Sequence, residues 1–274
     1  MSNNRNIVII IQARMSSSRL PGKVLMPLLD KSLLARMIER LQQIKYAARL
    51  VIATSVTDDD DLIEQEAKSL QIDCFRGDLN NLLDRHYQAA KLFNADVVLK
   101  IPSDCPLIDP KAVDRVLDVF FENDGRYDFV SNLHPATWPD GNDVEVMTMA
   151  CLERVWLKAA KPMELEHTTP YIWENPDQFA IANVAWETGK DYSMSHRFTI
   201  DYLEDYLFIS RVYQELYPVD PAFSCEDIVA LLEAKPEICH INQQFTGVNW
   251  YRHHLDELKT VNANQTKQLL KQKI

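Results

Sequence analysis

Four times within about the first 120 residues a short apolar run gives way to an amphipathic stretch. Nothing else in the chain narrows its fold as much. Residues 6–12 (NIVIIIQ) are a β-branched run of strand length, and its continuity predicts burial on both faces. Residues 32–45 follow with Leu33, Leu34, Met37, Ile38, Leu41 and Ile44 at helical spacing. Further strands are predicted at 49–55, 73–76 and 96–101, with helices at 58–70 and 79–93. Asp58 to Asp61 load a first helical turn, where carboxylates meet the positive helix end. Asp109-Pro110 reads as N-cap and first position of a helix over 110–122. This alternation specifies an α/β fold, a mainly parallel sheet covered by helices.

After residue 126 the pattern changes. Strands are expected at 127–132, 143–149, 178–186 and 196–201, and helices at 150–160, 165–174 and 202–216. Pro139-Asp140-Gly141-Asn142 is a turn signal between the first two of these strands. The reading is one domain over 1–250 with an inserted β-rich lobe at about 127–195, followed by a polar, loosely attached tail over 251–274.

Composition removes several function classes. The net charge of −11 argues against a broad nucleic-acid face. The longest aliphatic run, 7–11, is far short of a membrane span, and the N-terminus lacks an apolar signal core. A cytoplasmic protein with no membrane partner is expected. Five cysteines without C-x-x-C spacing read as reduced thiols. With 6 glycines, no G-x-G-x-x-G and no G-x-x-x-x-G-K-[ST], dinucleotide and P-loop sites lose most of their support.

Charge is unevenly spread. The first 29 residues hold Arg5, Arg14, Arg19 and Lys23 and no acid. Three of those cations lie in Gln12-Ala13-Arg14-Met15-Ser16-Ser17-Ser18-Arg19-Leu20-Pro21-Gly22-Lys23, directly after the first strand. Ligands in open α/β sheets bind at the carboxyl ends of strands, so the position suits a site. Arginine forks match phosphate oxygens, and small serines let backbone N–H groups approach an anion. Pro21-Gly22 makes a turn that folds Lys23 back toward the arginines. Cations crowded together with no acid nearby favour an anionic ligand over a merely solvated loop.

R-x4-R-x-P-G-K after Ile10-Ile11-Gln12-Ala13 resembles the cytidylyltransferases that activate sugar acids, and most closely their spore-coat polysaccharide (SpsF-type) branch. Further similar blocks are Ala53-Thr-Ser55, Phe75-Arg-Gly77, Leu83-Asp-Arg85, Ser103-Asp-Cys-Pro-Leu-Ile-Asp109, Pro139-Asp-Gly141 and Asp143-Val-Glu145. The similarity continues through Glu166-His167, Thr169-Pro-Tyr171, Thr199-Ile-Asp201 and Glu204-Asp205. Ser16, Lys100, Ser103 and Tyr202-Leu203 depart from the branch's usual glycine, arginine, glycine and Thr-Pro.

The resemblance implies a nucleotide-diphospho-sugar transferase (GT-A/Rossmann-like) three-layer fold and a homodimer. It implies CMP transfer from CTP to a sugar acid or similar acceptor, with Mg²⁺ and release of pyrophosphate, in surface glycan synthesis. The nucleotide would meet Gln12, Ala13, Arg14, Ser17, Arg19, Lys23, Ala53, Arg76 and Arg85. Asp104 and Asp201 would hold the metal, with Asp104, Arg14 and Lys23 the catalytic groups. Asp104 would otherwise be a turn former, and Asp201 a helix cap at the end of the 196–201 strand. Asp143 and Glu145, on one face of a period-two strand, and His167 are acceptor candidates; Lys100 and His134 are weaker ones. Asp205 reads as an exposed first-turn acid and His253-His254 as solvated. The competing functions are a nucleotide-sugar-dependent glycosyltransferase, whose metal site would usually show D-x-D rather than Ser103-Asp104-Cys105, and a non-catalytic nucleotide-binding scaffold.

Overall fold

β1 (Ile7–Gln12) is an interior strand of a seven-stranded sheet in the computed structural model, which describes residues 5–123 and 125–269. A small hairpin, β2 (Pro27–Leu28) and β3 (Lys31–Ser32), stands apart from that sheet. The remaining sheet strands are β4 (Ala48–Ser55), β5 (Asp73–Gly77), β6 (Val97–Pro102), β7 (Phe129–Ser131), β8 (Glu145–Thr148) and β9 (Ile181–Asn183). Their order is β5-β4-β1-β6-β8-β7-β9, with only β8 antiparallel to its neighbours. A reversed strand brings its beginning to the edge where parallel strands end. Glu145, which opens β8, therefore pairs with Lys100 near the end of β6.

The uninterrupted isoleucine run in β1 explains the two covered faces. Ile7, Ile9 and Ile11 pack with α1 (Leu33–Leu41), α2 (Asp61–Ser69) and α4 (Pro110–Glu122). Val8 and Ile10 point the other way, toward α3 (Leu82–Leu92) and α5 (Met149–Lys158). These are the three layers of a doubly covered sheet. Asp109 caps α4 through Lys111 N at 2.8 Å with Pro110 at the first turn, as the sequence predicts. All five cysteines are free thiols.

Beyond residue 126 the structure differs from the sequence reading in four places. The strands of 127–195 extend the central sheet instead of making a lobe of their own, because β8 satisfies the free edge of β6. The helix expected over 165–174 is broken into α6 (Pro162–His167) and α7 (Pro170–Trp173) at Thr168, whose φ is 72°. Residues 196–201 make one bridge, Arg197 to Asp140, and no strand, because Arg197's side chain turns into a carboxylate cluster. Asp201 therefore stands just before α8 (Leu203–Leu216) rather than at a strand end. The tail beyond 250 is docked: Leu258 and Val261 are buried in the cluster that holds Trp173. A third cluster joins Trp138, Trp186, Phe198 and Ile200 to α8 and α9 (Cys225–Ala234). No helix among the described residues is long and apolar enough to cross a membrane.

Candidate active site

The basic loop leaves β1 at the sheet's carboxyl edge and is held there by an acid the sequence reading passes over. Asp60 is buried; its carboxylate accepts from Met15 N at 2.7 Å and from Ser55 N at 3.0 Å. Gly22, at φ 70°, returns the chain so that Gly22 N and Ser17 N both donate to Met15 O at 2.9 Å. That bend carries Lys23 inward, where it is 8% exposed.

Lys23 meets both predicted metal aspartates. Its Nζ lies 3.0 Å from Asp201 Oδ1 and 3.6 Å from Asp104 Oδ2. The two acids come together because backbone joins their loops: Ile200 N and Thr199 Oγ1 each donate to Asp104 O at 2.9 Å. Asp201 also accepts from Arg19 Nη2 at 2.6 Å and from Arg197 Nη2 at 2.9 Å. Burial alone would raise the Asp201 carboxyl, but Lys23, Arg19 and Arg197 outweigh it and hold the group below the usual carboxylate range. The loop that looks unbalanced in sequence is thus partly neutralised by acids from distant segments.

Arg197 is the organiser that sequence reasoning misses. At 3% exposure it bonds Asp205 with Nε and Nη2 at 2.9 and 3.1 Å, Asp140 at 3.0 Å, and Val248 O at 2.9 Å. Asp205 is fully buried, not an exposed first-turn acid, and also accepts from the backbone N of Asp201 and Tyr202. The spacing Arg197-x3-Asp201-x3-Asp205 was the available signal.

Arg19, Lys23, Asp104, Asp140, Arg197 and Asp201 line a cleft of about 470 Å³ that also takes in Gln12, Arg14, Ser17, Lys100, His134, Asp143, Glu145 and His167. Arg14 is one-third exposed, with Glu166 4.0 Å away. Glu145 is buried, ion-paired with Lys100 and bonded by Thr169 Oγ1 at 2.5 Å, so it anchors Lys100 rather than standing free. Asp143 is raised, first by burial and then by the charge of Asp104; Asp140 is raised by burial and Asp143 against the pull of Arg197. His167 stacks on Trp250 at 3.8 Å and His134 on Trp173 at 4.4 Å. Desolvation lowers His167 to about 3 and His134 to about 4, so both rings are neutral at pH 7.

Four predicted nucleotide contacts fall outside the cleft lining. Ala13 N is committed to Ala53 O at 3.1 Å, and Ala53 is fully buried within β4. Arg76 spends its guanidinium on Ser55 O, Thr57 O, Asp61 and Glu64. Arg85 is buried, with Nη1 on Asp78 O at 3.0 Å and no hydrogen-bond partner for Nε and Nη2 among the described residues; burial and Arg14 lower it to about 10. His254 is paired with Glu257 at 2.8 Å, while His253 is exposed.

Comparison with known proteins bears on this geometry. A profile of the cytidylyltransferase family matches residues 8–224. An uncharacterized protein of Methanocaldococcus jannaschii is 33% identical over 240 residues, 86% of this chain and 94% of that one. The spore coat polysaccharide biosynthesis protein SpsF of Bacillus subtilis is 31% identical over 238 residues, 85% of this chain and 96% of its own. A solved cytidylyltransferase from Leptospira borgpetersenii is 36% identical, superposes with a TM-score of 0.81, and is matched over 86% of this chain and 97% of its own. The architecture is that of the nucleotide-diphospho-sugar transferases. A family profile spanning the basic loop, both aspartates and the sheet between them leaves one assignment: the chain belongs to the cytidylyltransferase family.

Proposed function

We propose that the protein transfers CMP from CTP to an oxygen of a small acceptor, a sugar acid or a similar compound, and releases pyrophosphate. The observation that carries this reading is Lys23 Nζ lying between Asp104 and Asp201 at the end of β1. A cation able to bind phosphate and two hard carboxylate oxygens at 3.0 and 3.6 Å from it support the reading.

The donor set fits magnesium. No group of three or more His, Cys, Asp or Glu suited to a metal exists among the described residues. Magnesium needs few protein carboxylates when phosphate and water oxygens complete its shell, so Asp104 and Asp201 suffice. Burial raises Asp140 and Asp143, and the neighbouring carboxylates add to it. When bound, the ion would neutralise charge at the α-phosphate and acidify the acceptor hydroxyl.

The chain's own groups do the rest. Arg14 and Arg19 keep a third or more of their side chains exposed, so they can turn to the β- and γ-phosphates. Lys23 would move from the carboxylates onto the same phosphates. Negative charge grows on pyrophosphate as the acceptor oxygen attacks the α-phosphorus in line, and cations fixed there stabilise the transition state more than the bound nucleotide. Gln12 and Ser17 line the path between loop and sheet.

The test is untargeted. The protein is incubated with each nucleoside triphosphate, Mg²⁺ and a metabolite extract, and products are read by mass. The expected result is a new CMP conjugate from CTP with equimolar pyrophosphate. Nucleoside diphosphate released from a sugar nucleotide, with no conjugate, would overturn the reading.

A further inference from the structure

The family match ends at residue 224, yet Val248, Asn249, Trp250 and Tyr251 line the cleft. We propose that this late segment is the acceptor-recognising wall, with Trp250 and Tyr251 as its specificity-determining residues. The acceptor class it fits is a ring with an apolar face and hydroxyl or amine donors around its rim. The proposal deepens the CMP-transfer reading and rests on it.

The wall is rigidly held. Arg197, which also grips Asp201, donates to Val248 O at 2.9 Å. Asn249 donates to Gln265 O at 2.9 Å, and its side chain accepts from Tyr251 N at 3.1 Å. Farther along, Glu174 of the segment after α7 accepts from the backbone of Lys259 and Thr260 at 2.7 and 2.9 Å. A segment fixed at both ends presents a defined surface, which recognition requires.

That surface is aromatic. Trp250 lies on His167 with 16° between planes, and Trp173 meets Tyr251 at 6.3 Å nearly edge-on. Burial keeps His167 and His134 uncharged, so these rings add no positive charge to the wall at neutral pH. Carboxyl groups line the same cleft: the Tyr251 phenol is raised by burial and then by the charge of Asp143, Glu145 and Asp140. Pockets that orient small molecules combine such apolar planes with a few placed polar groups. Aromatic planes and the carboxyl oxygens of Asp140 and Asp143 in one cleft match a sugar-like ring, whose C–H face packs while its hydroxyls or amines donate.

The experiment uses the full chain with the metabolite extract, CTP and Mg²⁺, and then the compound found to be converted. Trp250→Ala should bind CTP within threefold of wild type by calorimetry. It should raise the acceptor KM at least tenfold with kcat within threefold, and yield conjugates of further masses from the extract. Trp250→Phe should recover most of the affinity, and Tyr251→Phe should raise the acceptor KM at least threefold. Should Trp250→Ala not fold, the two phenylalanine variants decide. An unchanged acceptor KM in every folded variant overturns the wall while leaving CMP transfer standing. A parallel loss of CTP affinity also overturns it. No conjugate from wild type with any nucleotide overturns the transfer reading, and the wall with it.

Discussion

Lys23 is a buried lysine whose amine is shared by two carboxylates and by Ile200 O at 2.5 Å. Such a group is too well fixed for a solvated surface charge, and its value lies in where it can go when phosphate arrives. Lys23→Ala is therefore expected to cut turnover by about 100-fold or more, the scale of losing one transition-state donor, with the acceptor KM nearly unchanged. Steady-state kinetics with CTP and the converted acceptor checks this; unchanged turnover with a raised acceptor KM would remove the role. Arg197 acts at the same scale through stability. Arg197→Met leaves Asp205 and Asp140 without their buried partner, and a cost of about 3–5 kcal/mol is expected from a broken buried pair. Urea denaturation of the two proteins measures it; a loss below about 1 kcal/mol would mean the pairs behave like surface ones. Gly141 is the third position. At φ 105° its missing Cβ would lie 2.6 Å from Thr199 N and 2.7 Å from Phe198 C. Gly141→Ala is expected to cost about 2 kcal/mol or more from overpacking and to displace the loop carrying Asp140 and Asp143, seen as a lower thermal midpoint together with lower turnover.

At the scale of the element, α3 buries two ionisable side chains, Arg85 and His86, against the sheet. Desolvation lowers His86 to about 3 despite the 2.8 Å bond from its ring to Leu82 O. The unfolded chain protonates near pH 6.5 while the fold does not until about 3. Between those values the unfolded state binds more protons at this residue, so His86 contributes a loss of stability on acidification below 6.5, while the raised Asp140 and Asp143 contribute with the opposite sign. His86→Leu should flatten that slope, read from denaturation midpoints at pH 7, 6 and 5. The lowered His134 and His167 act in the same direction as His86. Elements whose character is local were legible in the chain: the isoleucine run of β1, the Asp109-Pro110 start of α4, and the Arg14-to-Lys23 loop each announce themselves by spacing. Residues 196–201 were not, because their apolar alternation of Phe198 and Ile200 also serves an extended segment packed on α8. What decides between the two is Arg197 seeking partners at 140 and 205, which no local pattern reveals.

For the molecule as a whole, the fold and the basic loop at the cleft could be read early because they follow from one repeated unit and one spacing. The far side of the cleft was legible only in part: Asp143, Glu145 and His167 were named from sequence and do line it, while Trp250 and Tyr251 were not. It is assembled from β8, α6, α7 and the segment after 248, and only the docked fold shows that Trp250 faces His167. Ligand linkage spans that whole assembly. With Mg²⁺ present, CTP at about 100 times its Kd should stabilise the chain by about 2.7 kcal/mol, and a chelator should abolish most of the gain, both readable as thermal shifts. No shift with CTP under either condition would argue against a nucleotide site. The ammonium seated between Asp104 and Asp201 has a further consequence, for the order in which guests arrive. A resting protein that already carries its own counter-charge offers a lone divalent ion little welcome. Nucleotide should have to enter first, or escort the ion in, and calorimetric injection of Mg²⁺ alone should be silent until CTP has drawn Lys23 aside.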